Sequence, residues 1–285
     1  MSRAILALVL GAAAVAAQDS PAPPRLEIRA PAVGERTTIK IESTFELDIV
    51  SKSVQDPDAS TTRQMSYVRT QEFVQTVREV ENGAAKAFDV SCLAAKCQRS
   101  GTNQNPVTDT SEIEGKNFVV SRGEKGRTVR LETGEAPPAD AAGVGAWEDC
   151  TKLLPAGEAK EGAAWTAEAA GLGGLIAVPD LPTPSGSFDI KIEKMADGRA
   201  ELVFTGKLEG KTSKGYDAKM TITEGRLVFD VAKGRPVSLT VAGSLEAAKD
   251  ISQKVARANE LKQVDEKVGE VRVTSRKLEV KVEFR

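Results

Sequence analysis

The chain contains no histidine. Ser-His-Asp and Cys-His catalysis are therefore excluded, as is every zinc site that needs an imidazole. Aromatic residues make up only 4%, too few for a protein that reads sugars or bases by stacking. Neither sign of charge dominates: 39 basic against 41 acidic residues leave a formal charge of −2, interspersed along the chain. Nothing in that balance favours nucleic acid or an anionic membrane surface. Gly-x-Ser-x-Gly and Ser-x-x-Lys are absent, so the common serine hydrolase signatures are missing. Gly171-x-Gly173-Gly174 lacks the strand-then-helix context and the lysine of a nucleotide loop, and reads as a connector. The loop around Asp56 and Asp58 starts like a calcium loop. It then has Thr61 where glycine is needed and Tyr67 where glutamate is needed. No cofactor and no metal is expected.

What is present is export and β patterning. Residues 1–17 carry Arg3, a short apolar run and a small-residue end at Val15-Ala16-Ala17, the layout of a signal peptide. The run is too short to span a bilayer, so the mature chain is expected to have no transmembrane segment and to be periplasmic or extracellular. Residues 18–36, with Pro21, Pro23, Pro24 and Pro31, read as a tether.

The body divides into 37–155 and 156–285. Thr37–Val50 alternates Ile39, Ile41, Phe45, Leu47 and Ile49 with Lys40, Glu42, Glu46 and Asp48, a long one-sided strand. Arg63–Val80 is mixed: a strand buried on both faces or one with a bulge. Asn82-Gly83 marks a hairpin. Between Ser187 and Leu245 we expect five strands in a row, with turns at Asp197-Gly198, Glu224-Gly225 and Lys233-Gly234. Their apolar residues include Phe188, Ile190, Phe204, Met220, Phe229 and Leu239; with Trp165 these are candidate core or ligand-facing positions.

Two helices are expected. A short one lies within Ala139–Leu154, where Trp147, Cys150 and Leu154 share a helical spacing and Pro155 stops it. A long amphipathic one spans Ile251–Val268, capped by Asp250 and Gln253, with Ile251, Val255, Ala258, Leu261, Val264 and Val268 as its stripe. A pair of polar strands is the competing reading there. The long helix would lie across the open apolar face of the sheet.

In an exported chain the three cysteines suggest a disulfide. Cys92 with Cys97 is one candidate, which needs a turn between them. Cys150 with either is another, and three free thiols a third. Asp189, Glu193, Glu201 and Glu209 are carboxylates on the wet face of alternating strands, where solubility is the ordinary role.

Leu153-Leu154-Pro155 with Glu161-Gly162 and Trp165, and the run from Gly225 to Asp230 followed by Gly234-Arg235 and Val237–Leu245, resemble uncharacterised secreted β-proteins of planctomycete-type bacteria. The layout of long one-sided strands around a helix is similar to the periplasmic lipoprotein-carrier half-barrels. The resemblance implies a mainly β fold of long antiparallel strands in a curved sheet, and transfers no catalytic residue. The expected function is that of an exported non-enzymatic protein. Its expected partner is a hydrophobic small molecule or lipid on the concave face, or alternatively another protein of the cell envelope.

Overall fold

The computed structural model describes residues 25–285 apart from 57, 124–125, 158, 170–183, 213 and 257–262. The expected signal peptide, the start of the expected tether and Gly171-x-Gly173-Gly174 lie outside the described residues. The strands are β1 (Arg36–Ser53), β2 (Ser60–Glu81), β3 (Ala84–Gly101), β4 (Val107–Thr110), β5 (Asn117–Gly123) and β6 (Gly126–Leu131), then β7 (Ala164–Glu168), β8 (Ser185–Ala196), β9 (Arg199–Lys211), β10 (Asp217–Asp230), β11 (Arg235–Ala256) and β12 (Gln263–Phe284). They form one antiparallel, unclosed sheet in the order β6-β5-β3-β2-β1-β12-β11-β10-β9-β8-β7, with β4 added beside β3.

Alternation decides which face is buried. On β8, Phe188, Ile190 and Ile192 are buried, while Asp189, Lys191 and Glu193 are exposed. Cross-strand neighbours share a face, so Ile190 opposite Phe204 and Leu227 opposite Leu239 extend one apolar surface across four strands. Ile39 opposite Phe73 continues it beyond the seam between β1 and β12. The two expected halves therefore build a single sheet, joined by the first and last strands. The tether is not free along its described length: Leu26 is buried, and the Arg29 amide donates to the Gly234 carbonyl at 3.0 Å.

The turns at Asn82-Gly83 and Asp197-Gly198 fold with positive φ at both residues, the geometry whose twist matches two strands. Glu224-Gly225 is not a turn. Strand β10 runs straight through it, and Thr223 and Glu224 form a bulge between Ile222, opposite Gly206, and Gly225, opposite Phe204. Four strands, not five, therefore fill Ser187–Leu245. The glycine has a different reason: a Cβ at 225 would overlap the Phe204 ring. On β2 the bulged reading applies at Arg78, left over between Val77 opposite Phe88 and Glu79 opposite Ala87.

The long helix over Ile251–Val268 is overturned. Strands β11 and β12 run on through the described part of this stretch, with Val255 opposite Val264 and Ala256 opposite Gln263; residues 257–262 lie outside the described residues. Beyond Ser53 opposite Gly269 and Asp217 opposite Ala248, this ribbon leaves its neighbours behind. Here the two strands pair only with each other, as continuations of the strands held in the sheet, and that pairing overrides a helical spacing of apolar residues.

The short central helix exists, as two 3-10 turns, Ala139–Gly143 and Ala146–Leu153. It takes the place expected of the long one. Strands β6 and β7 are the two free edges of the sheet and are consecutive in sequence, so their connection must cross from one edge to the other. It crosses on the apolar side, burying Ala141, Val144, Trp147, Cys150 and Leu153, and reaches β11 beyond the seam.

Candidate functional site

The apolar face has two unlike ends. At one end the central segment closes it. Trp147 lies 4.8 Å from the Phe73 ring and donates from Nε1 to Gln75 Oε1 at 2.7 Å. Gln75 Nε2 donates to Glu148 Oε1 at 2.5 Å. Arg122 of β5 lies 3.7 Å from the other Glu148 oxygen and stacks over Phe88. Arg127 of β6 pairs with Asp149 at 3.0 Å and donates to the Ala142 carbonyl at 3.1 Å. The segment is thus held by a tryptophan anchor and two arginines on edge-side strands. Burial is the main force raising the Glu148 carboxyl above its ordinary range; Gln75 and Arg122 pull it down and Asp149 pushes it up.

The candidate residues Phe188, Ile190, Phe204, Met220, Phe229 and Leu239 all lie on this face and are 0–4% exposed, so they are already covered. Phe188 and Phe204 meet edge to face at 5.8 Å. Trp165 is half-buried on edge strand β7, opposite Ile190, and its indole N–H is buried without a partner among the described residues.

The other end is more open. Phe45 and Leu47 of β1, Tyr67 and Met65 of β2 and Leu245 of β11 are half-buried apolar residues of the same face. Two polar residues interrupt it. Ser43 is 1% exposed, and its hydroxyl has no hydrogen-bond partner among the described residues. Arg69 is half-buried directly opposite Ser43. Both escaped the reading of the sequence. The signal was there: Ser43 breaks the run Ile39, Ile41, Phe45, Leu47, and Arg69 sits in phase with Phe73 and Tyr67.

All three cysteines are free, so the Cys92–Cys97 disulfide is overturned. A bulge at Leu93 puts both on one face, since Cys92 opposes Phe73 and Cys97 opposes Arg69. The chain between them stays extended, however, and the sulfurs are carried roughly 13 Å apart along the strand. The bulge is closed from outside β3: the Ala95 amide donates to Glu114 at 2.7 Å and the Cys92 amide to the Lys116 carbonyl at 3.0 Å.

On the opposite, polar face the acids are tied up in cross-strand contacts. Arg226 pairs with Glu193 at 2.9 Å and Glu201 at 2.6 Å, Lys219 with Glu209 at 3.5 Å, and Thr166 donates to Asp189 at 3.2 Å. An open depression of about 520 Å3 lies over β7–β10. By register its rows Ala164–Lys191–Val203–Arg226 and Thr166–Asp189–Thr205 belong to the polar face, and the row Trp165–Ile190–Phe204–Gly225 that also lines it belongs to the apolar phase, so three of the candidate positions border this depression. No cluster of metal-ligating side chains occurs among the described residues, and no described helix is long and apolar enough to cross a membrane.

No protein-family model matches the chain, and no curated protein matches it.

Proposed function

We propose that this is an exported, non-enzymatic β protein whose sheet curves as a half-barrel and takes a lipid-like or hydrophobic ligand on its concave side. The observation that carries the reading is the uneven burial of that side. Beyond the central segment, Phe45, Leu47, Met65, Tyr67 and Leu245 form a continuous apolar floor that remains half-buried. Exposed contiguous apolar surface of this kind marks a ligand or partner site. Native mass spectrometry after gentle purification is expected to show a lipid-sized adduct. A clean apo mass counts against the reading.

A second reading, an envelope protein that binds other proteins, draws on the ribbon of β11 and β12. Where it outruns the sheet, Ile251 is 42% exposed, and Val54, whose amide donates to the Val268 carbonyl on the other side of β12, is 51% exposed. Cross-linking that returns one dominant protein partner, with no ligand found, favours this reading.

A further inference from the structure

We infer that Arg69 and Ser43 form an anionic head-group site within the apolar floor, so that the ligand is an amphiphile with an oxyanion at one end and an alkyl chain at the other. The inference rests on the apolar-ligand reading and names the class of ligand.

The argument starts from register. Ile39, Ile41, Ser43, Phe45 and Leu47 of β1 face Phe73, Gln71, Arg69, Tyr67 and Met65 of β2, in that order. Residues directly opposite in an antiparallel pair share a face with Cβ atoms about 5 Å apart. Arg69 therefore stands on the apolar side beside the Ser43 hydroxyl, not on the polar side with Lys40 and Glu72, which pair with each other at 3.5 Å. A guanidinium on an apolar surface is costly unless a carboxylate or phosphate accepts from it. No ion pair reaches Arg69 among the described residues. The acid in its row is Asp109, which is opposite Cys97, itself opposite Arg69; Asp109 is already held by Arg99 at 2.8 Å. The Tyr67 hydroxyl donates to the Met65 sulfur at 3.3 Å and, being neutral, does not balance the charge.

The second observation is independent of charge. Ser43 is among the few buried polar residues of the core, and its Oγ lacks a partner. A buried hydroxyl without a partner destabilises the fold, so its retention beside an unpaired guanidinium calls for a third group that accepts from both. A carboxylate or phosphate does so: the guanidinium fork donates two parallel hydrogen bonds and the hydroxyl a third. Along the floor from this point, Phe45, Leu47, Tyr67 and Met65 offer the alkyl chain a path. Toward the other end the central segment blocks it.

The test uses the full chain and three monomeric probes: oleate, oleyl alcohol and oleoyl lysophosphatidate, each titrated below its micelle concentration by calorimetry. The wild type is expected to hold oleate or lysophosphatidate at least about tenfold more tightly than oleyl alcohol, as charge-assisted hydrogen bonds imply. Which anion wins assigns the head as carboxylate or phosphate. Arg69→Gln is expected to erase the preference while leaving alcohol binding intact, and Ser43→Ala to narrow it. Should Arg69→Gln not fold, Arg69→Lys, which keeps the charge and loses the fork, carries the same comparison. Equal affinity for alcohol and anion in the wild type, or an undiminished preference in Arg69→Gln, overturns the head-group site and leaves the apolar-ligand reading standing. Failure of all three probes to bind overturns both.

Discussion

At the scale of single residues, three side chains make the core testable. Burial pushes the Cys92 thiol up to about 11, with Glu114 adding to it, and raises Cys150 well above its ordinary value, with Glu148 and Asp149 adding to that. Cys97 is only half-buried. Because the thiolate is the reactive form, the native protein is expected to give one fast-reacting thiol to an aromatic disulfide reagent, and three after unfolding. A count of one after unfolding would mean a disulfide. Glu148 supplies a pH dependence. Its folded pKa is raised, so its contribution to stability is complete below the ordinary carboxylate value of 4.5 and is lost as pH rises through the folded value. Melting temperature is expected to fall over that interval, and Glu148→Gln, which still accepts from Gln75, to flatten the fall. Gly225→Ala drives a methyl into the Phe204 ring and is expected to lower stability by about 1–3 kcal/mol in denaturant titrations. Gly157→Ala, with open space around it, serves as the control.

At the scale of elements, the central segment bears most on the proposed site. Two 3-10 turns are weak on their own; what holds this pair is Trp147 in the apolar face and Arg122 and Arg127 outside it. Trp147→Ala removes a fully buried ring and leaves Gln75 short of a donor. It is expected to cost about 3–5 kcal/mol, measured by denaturant titration, and to raise amide exchange at Phe73 and Val77. The elements also show what patterning could reveal. Period-two alternation located β1, β8, β9 and the first part of β11 because each buries one face only, and the two-residue turns were written as Asn82-Gly83 and Asp197-Gly198. It failed where spacing had two causes. Glycine 225 looked like a turn because a turn and an aromatic overlay both demand the missing Cβ. Ile251–Val268 looked helical because its apolar spacing fits a helix, whereas its described parts continue β11 and β12 out of the sheet and pair with each other. The alternation also placed Phe188, Ile190, Phe204, Met220, Phe229 and Leu239 on one face, and all six are buried there. The polar pair at Ser43 and Arg69 needed the β1–β2 register, which neither strand encodes alone.

At the scale of the whole molecule, the joint between β1 and β12 decides cohesion. It unites strands of 18 and 22 residues from opposite ends of the described chain, a contact that carries a large loop-closure cost and slows folding. Separating the halves between Pro155 and Gly157 uncovers β1 in one fragment and β12 in the other. Each bare edge is long and apolar on one face, a template for aggregation. The fragments 25–155 and 156–285 are expected to be insoluble when expressed singly. Co-expressed, they are expected to purify as a one-to-one pair with the parent's circular dichroism. Two soluble monomers would show that the joint is dispensable.

The strand order has a mechanical corollary. Since β6 and β7 sit at opposite margins yet follow one another along the chain, tension applied to the stretch between them loads both margins at once. Each antiparallel ladder then opens one rung at a time, as a zipper does, and the central pair is the last to part. Pulled instead at the start of β1 and the start of β12, which lie at opposite ends of that pair, many rungs must shear together, so the same molecule should be soft along one axis and stiff along the other.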